Sequence, residues 1–182
     1  MTAGRSGGGR RLPSRDECID MLRTSGCDES VIRHSVAVRD LAVVFAKKCG
    51  ADLELVEAGA LLHDIGRCRS HGIDHAVRGA AVAAELKLPP QLIRIIERHI
   101  GAGITKAEAE SLGLPPKDYV PVTLEEKIVA HADNLIAGTR RGTVKEAVGW
   151  LVRQGHHDAA MRVLKLHEEL SAICGMNLDD VR

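Results

Sequence analysis

Aromatic residues are almost missing from this chain: one Trp, one Tyr and one Phe make up 2% of 182 residues. A core built nearly without rings must be aliphatic, which disfavours a β-sandwich and favours packed helices. Net charge is missing too, with 25 basic and 25 acidic side chains, so no global field exists to hold a nucleic-acid duplex. The five cysteines, at positions 18, 27, 49, 68 and 174, contain no C-x-x-C pair. That excludes a zinc–cysteine site, argues against a disulfide framework and fits a reduced cytoplasm. No apolar run approaches membrane-spanning length, and the Gly- and Arg-rich first residues lack the apolar stretch of a signal peptide. The expectation is a soluble, cytoplasmic protein with no membrane contact.

What is present is an ordinary balance, 45% hydrophobic and 27% charged, in a chain long enough for one domain with a proper core. Residues 1–12 read as a disordered tail and 13–182 as a single all-α domain. Ser14 and Glu17 are spaced as a capping box that opens a helix ending near Gly26. A second helix runs from Asp28 to Lys48, with Val31, His34, Val38, Leu41 and Phe45 on its apolar stripe. A third covers 52–65, with Gly66 as its left-handed stop. A fourth spans 74–88 with His75, Gly79, Val82 and Leu86 inward, and a fifth spans 91–100 with Leu92, Ile95, Ile96 and His99 inward. The stretch 101–122 is irregular, with one helical turn near 106–111, and is long enough to be functional. Thr123 and Glu126 form another capping box before a helix to about Ala137. Two amphipathic helices, 143–153 and 157–173, close the chain; no strand is expected.

Nine histidines are many for a neutral chain of this size. Five successive helices each carry a metal-type ligand at the stripe that faces the core: His34, then His63 with Asp64, then His75, His99 and Asp133. One core histidine needs only a hydrogen bond, and an aspartate on an apolar face needs a cation or strong donors. A shared cation satisfies every one of these positions at once. Four imidazoles and two carboxylates exceed what one tetrahedral zinc requires. They suit one octahedral ion or two bridged ions, and the donor types fit Fe, Mn, Co, Ni or Zn. A two-metal site lowers the pKa of water and clamps phosphoryl oxygens, which is hydrolytic chemistry.

The order His34, His63-Asp64, Asp133, with Gly66 completing an HDIG sequence, resembles the HD superfamily of metal-dependent phosphohydrolases over about residues 28–140. The resemblance implies a helical bundle around a metal site. His34, His63, Asp64 and Asp133 match the first metal site. His75 and His99 match the extra ligands of binuclear members, in which the HD aspartate bridges. The surroundings of His75, His99 and Asp133 are similar to the diadenosine-tetraphosphate-cleaving branch. The longer string from His63 to Ile136 is more similar to an archaeal group resembling the Fe(II)-dependent 7,8-dihydroneopterin 2′,3′-cyclic phosphate phosphodiesterase of tetrahydromethanopterin synthesis. The Gly-Tyr-Pro insertion of cyclic-di-GMP-degrading members is missing.

The resulting expectation is a phosphodiesterase for a small phosphodiester, with one or two divalent ions, Fe2+ favoured and Mn2+, Co2+, Ni2+ or Zn2+ possible. A pterin or nucleoside 2′,3′-cyclic phosphate comes first among substrates, and a dinucleoside polyphosphate or another nucleotide is the alternative. A non-catalytic nucleotide-binding module is the rival from another class, and a homo-oligomer is compatible with either. Asp64, Arg67 and His71 are the candidate catalytic residues, His71 as the acid for the leaving alkoxide. Arg67, Arg69, Arg78 and Lys106 are candidate phosphate contacts. Tyr119 is the one ring expected to stack on a base. His131 points away from Asp133, Asn134 could orient it, and His156, His157 and His167 are expected at the surface. Cys68 is an oxidation liability without an adjacent base.

Overall fold

Capping chemistry marks where the helices begin. In the computed structural model, which describes residues 11–181, Ser14 accepts from the Glu17 N–H while the Glu17 carboxylate accepts from the Ser14 N–H. This reciprocal box opens α1 (Arg15–Ser25). The same device opens α6 (Lys106–Ser111), with Thr105 and Glu108, and α8 (Val144–Arg153), with Thr143 and Glu146. The other helices are α2 (Glu29–Cys49), α3 (Leu53–Leu62), α4 (His75–Glu85), α5 (Pro90–Glu97), α7 (Leu124–Asn134) and α9 (His157–Cys174). Gly50, at φ 72°, ends α2 in the left-handed region that glycine enters without steric cost.

The long helix α2 is the spine, packing on α3 along one side and on α7 and α9 along another. Phe45 of α2, Leu61 and Leu62 of α3, Ile95 and Ile96 of α5, Ile128 of α7 and Leu170 of α9 are fully buried. Each contributes about 1.5–3 kcal/mol of burial, so an aliphatic core serves in place of rings. Among the described residues no helix is long and apolar enough to cross a membrane.

Several expectations need correction. The helix predicted to reach Ala137 stops at Asn134. There the chain turns into a two-residue antiparallel ladder, β1 (Ile136–Ala137) with β2 (Arg140–Arg141), around Gly138 at φ 64°. Leu86 lies past the end of α4 and is 41% exposed, outside the core stripe assigned to it. The Thr123 box is only half formed. Thr123 caps the Glu126 N–H, but the Glu126 carboxylate turns to Arg98 and to the Val122 N–H instead. The stretch 101–122 folds onto its own small core of Ile104, Ala109, Leu114 and Tyr119. The expected tail, for residues 1–10, lies outside the described residues; Arg11 pairs with Glu17 and Leu12 packs against the core.

Cysteine usage is also corrected. Cys49 at the end of α2 and Cys174 at the end of α9 are bridged, with Cα atoms 4.5 Å apart, leaving Cys18, Cys27 and Cys68 free. The residues are 125 positions apart, and no spacing rule in a linear sequence reveals such a pair. Cross-linking so distant a pair restricts the unfolded chain. Reduction, or Cys49→Ser, is therefore expected to lower the unfolding free energy by about 2–4 kcal/mol. Urea denaturation with and without reductant measures this, and coincident midpoints would show that the bridge does not form in solution.

Candidate metal centre

Each candidate ligand is delivered by a different structural device. His34 projects from the second turn of α2. His63 is the last residue in helical conformation after α3, and Asp64 follows at φ −95°, ψ 13°, leading into the 3-10 turn Ile65–Cys68. His75 opens α4, His99 lies two residues beyond α5, and Asp133 sits in the last turn of α7.

Gly66 does not stop α3 through a left-handed conformation, as the sequence suggested. It is needed for close approach: a Cβ there would lie 1.9 Å from the His75 carbonyl oxygen and 2.5 Å from the Gly79 nitrogen. A side chain at Gly66 would lever α4 away and His75 with it. The glycine of the HDIG sequence therefore works by bringing backbone to backbone.

The four imidazoles share one orientation. Nδ1–H of His34 donates to the Gly138 carbonyl, that of His63 to Ala60, that of His75 to Gly72 and that of His99 to Ile96, all at 2.7–2.8 Å. Backbone bonds of this kind fix the tautomer and leave every Nε2 lone pair facing inward. His75 Nε2 and His99 Nε2 stand 3.0 Å apart. His34 Nε2 is 2.9 Å from Asp133 Oδ1. His63 Nε2 is fully buried and closes no hydrogen bond, although Asp133 Oδ1 lies at 3.4 Å.

Asp64 lies between the two halves. Its Oδ1 is 3.2 Å from His75 Nε2, 3.6 Å from His99 Nε2 and 3.0 Å from Arg67 Nε, while its Oδ2 is 3.7 Å from His63 Nε2 and 3.9 Å from His34 Nε2. Three overlapping groups have ligand atoms within 4.8 Å of one another: His34, His63 and Asp64; Asp64, His75 and His99; and His63, His99 and Asp133, which joins the two halves. An orphaned buried nitrogen and converging lone pairs are what a divalent cation would satisfy, so the residues present fit one or two such ions.

The electrostatics agree. Burial penalises charge on His63, but Asp64 and Asp133 outweigh it and raise its pKa to about 9. Burial, reinforced by the nearby His63, lowers His99 to about 4. Burial also works to protonate Asp64 and Asp133. Their imidazole neighbours, with Arg67 beside Asp64, nevertheless hold both carboxyls well below the usual range.

The remaining sequence candidates fall in different places. Arg67 touches the centre: its Nε donates to Asp64 and its Nη1 to the His71 carbonyl at 3.3 Å. The His71 side chain is exposed. Arg69 pairs with Glu85 and Arg78 with Asp74, and Lys106 is exposed at the start of α6; no contact joins these three to the cluster among the described residues. Tyr119 is 2% exposed, with its hydroxyl donating to Pro115, so it offers no stacking face. His167, expected at the surface, is buried and bonded to His131 at 3.0 Å, and His131 stacks on Phe45. Burial, then His167, lowers His131 to about 3. Sequence reading missed two supports. One is Gly138, whose carbonyl aligns His34. The other is buried Glu126, whose bond to Arg98 ties the end of α5 to α7 beside His99; a glutamate inside an apolar helix was its available signal.

Comparison with known proteins places this geometry among relatives. A family described as HD domain matches residues 31–138. The chain is 49% identical over 170 residues to a tRNA (cytidine(56)-2′-O)-methyltransferase of Picrophilus torridus, covering 93% of this chain and 50% of that protein. It thus spans about half the length of that relative. An uncharacterised protein of Methanocaldococcus jannaschii is 49% identical over 152 residues, 80% of this chain and 90% of that one. The fold resembles the HD domain of the L. monocytogenes phosphodiesterase PgpH in complex with cyclic-di-AMP. The TM-score there is 0.53 at 19% identity, covering 86% of this chain and 96% of that chain.

Two outcomes follow from the geometry. His34→Ala and His99→Ala are each expected to lower the divalent metal bound per chain, because each removes a converging Nε2 lone pair; metal analysis of the anaerobically purified protein reads this. Gly66→Ala is expected to cost about 1–3 kcal/mol through overpacking and to weaken the His75–His99 side first. A Gly66→Ala variant with native stability and full metal content would refute the close-approach role.

Proposed function

This chain belongs to the HD domain family, and on that premise we propose that it is a metal-dependent hydrolase of phosphoric esters acting on a small phosphodiester. A 2′,3′-cyclic phosphate, carried by 7,8-dihydroneopterin or by a nucleoside, is the preferred class. The observation that carries the reading is Asp64, whose two oxygens face different pairs of imidazoles, Oδ1 toward His75 and His99 and Oδ2 toward His34 and His63. His34, His63, Asp64 and Asp133 would hold one ion, and Asp64, His75 and His99 a second; Fe2+ is preferred, and Mn2+, Co2+, Ni2+ and Zn2+ suit the same donors. Such a pair supplies Lewis acidity and lowers the pKa of water beside the phosphoryl group.

The chain's own residues do the rest. Arg67 holds the Asp64 carboxylate oriented and ionised. Its Nη2 makes no hydrogen bond among the described residues and is the donor available to a phosphoryl oxygen as charge develops there. Hydrolysis of a cyclic phosphate breaks one P–O bond: the water oxygen ends on phosphorus, and a proton must reach the leaving alkoxide. His71, exposed on the loop that Arg67 anchors, is assigned that proton. Arg69, Arg78 and Lys106 are kept as outer phosphate contacts only. The Picrophilus relative, half of whose length this chain matches, is a tRNA methyltransferase, which favours a substrate related to nucleic acid.

The test is turnover of adenosine 2′,3′-cyclic phosphate, 7,8-dihydroneopterin 2′,3′-cyclic phosphate and diadenosine tetraphosphate by the anaerobically purified, metal-analysed protein. Ring opening of a cyclic phosphate to a monoester is expected, abolished by a chelator. Asp64→Asn is expected to lower kcat/KM by at least about 100-fold, and Arg67→Ala to act mainly on kcat, by about 10–100-fold. Turnover of the tetraphosphate alone would move the substrate to the alternative class. Neither metal nor turnover would leave a nucleotide-binding module.

A further inference from the structure

We infer that the groove between the β1–β2 hairpin and α8 binds a single-stranded RNA segment leading to the metal centre, with Trp150 as its stacking platform. The inference rests on the phosphodiesterase reading above. The groove has a volume of about 700 Å³ and is lined by Asn134, Arg140, Lys145, Trp150 and Arg153 among others. Small-ligand pockets span roughly 300–1,000 Å³, so this one has room for more than a single base.

Its position is set by the ligands. Asn134 follows Asp133 directly, and the hairpin that carries Arg140 is the one whose Gly138 carbonyl holds His34. His34 and Asp133 lie on one open side of the cluster: their side chains are 15% and 21% exposed, against 0% for His63 and 6% for Asp64, while Arg67 marks another. A chain bound in the groove therefore points its end at an accessible face of the centre.

Its chemistry is that of a strand with bases and phosphates. The only Trp of the protein is 55% exposed here, an unusual cost for a ring that could have joined an aromatic-poor core. Lys145, Gly149 and Arg153 recur every fourth residue along α8, and Trp150 lies beside that row. At Gly149 no side chain intervenes, and an Arg153 Nη1 lies 3.3 Å from where its Cβ would stand. Lys145 and Arg153 form no ion pair or hydrogen bond among the described residues, whereas Arg140 has Glu146 at 3.4 Å. Three cations against one carboxylate along the groove, in a chain of zero net charge, make a local positive field that attracts anions. A lone cyclic phosphate is met at the metal centre and leaves these cations without a partner; further phosphates along a strand supply one. A second copy of this chain docked across a twofold axis would set the same cations against each other. Base–aromatic stacking plus a cationic groove is the usual recognition of single strands. The strand is RNA because only a ribose 2′-hydroxyl allows a 2′,3′-cyclic end.

Because Trp150 is the sole Trp, its fluorescence reports occupancy directly. Titration with oligoadenylates of one to six nucleotides ending in a 3′-phosphate is expected to quench it saturably, with affinity rising with length. Inorganic phosphate should not do so. With a dye-labelled pentamer, Trp150→Ala should weaken binding about tenfold or more, and Trp150→Phe should recover part of it. Lys145→Ala with Arg153→Ala should reduce the salt slope by about 1.4. Length-independent quenching, unchanged binding by Trp150→Ala, or sedimentation showing Trp150 buried in a dimer would each overturn the inference. Its failure is separable from that of the parent reading. Turnover of adenosine 2′,3′-cyclic phosphate without oligonucleotide binding would reject the groove alone. Trp150-dependent binding without turnover of any cyclic phosphate would reject the hydrolase alone.

Discussion

Four imidazole lone pairs and two carboxylates turned toward one point, in a region largely closed to water, form an arrangement that needs positive charge to exist. His75 Nε2 and His99 Nε2 are 3.0 Å apart with both Nδ1–H groups committed to carbonyls. Without a cation or a proton between them, two lone pairs face each other. The two carboxylates favour a proton on His63, raising its pKa to about 9 against its burial. A divalent ion would supply the positive charge in place of that proton, so binding and charge balance are one problem.

The scaffold follows from this requirement. Five segments must bring side chains within a few ångströms, and each is pinned close to its ligand: Gly66 against the His75–Gly79 backbone, Glu126 to Arg98 beside His99, Gly138 to His34. The pins are backbone contacts and buried polar bonds, which tolerate little displacement. Apolar burial elsewhere stabilises the bundle without fixing any ligand to tenths of an ångström. Small residues and carbonyls near the centre therefore matter beyond their size.

Legibility of the sequence divides along the same line. The starts of α1 and α7 were readable because their caps are local: Ser14 and Thr123 each act within three residues. The inward positions of His63, His75 and His99 were readable from helical spacing, and Asp133 from the cost of an aspartate on an apolar face. What stayed hidden is non-local. Nothing near Gly66 in the sequence announces the His75 carbonyl, so a close-approach glycine looked like a helix stop. The Cys49–Cys174 bridge spans 125 positions, and His167 is buried only because His131 of another helix meets it. Tyr119 was misplaced for the same reason: a Pro-flanked loop looked open until its own small core closed over the tyrosine.

The family match ends at residue 138, and that boundary coincides with a change of task. Residues up to Gly138 supply all six candidate ligands and the carbonyls that orient four of them. Beyond it lie Arg140, Lys145, Trp150 and Arg153, none of which touches the cluster and all of which line the groove on one of its open sides. The centre is open past His34 and Asp133 and also past Arg67, whose side chain is more exposed than either. On the proposed reading, the groove that could tell one phosphodiester from another is built mainly by the last quarter of the chain.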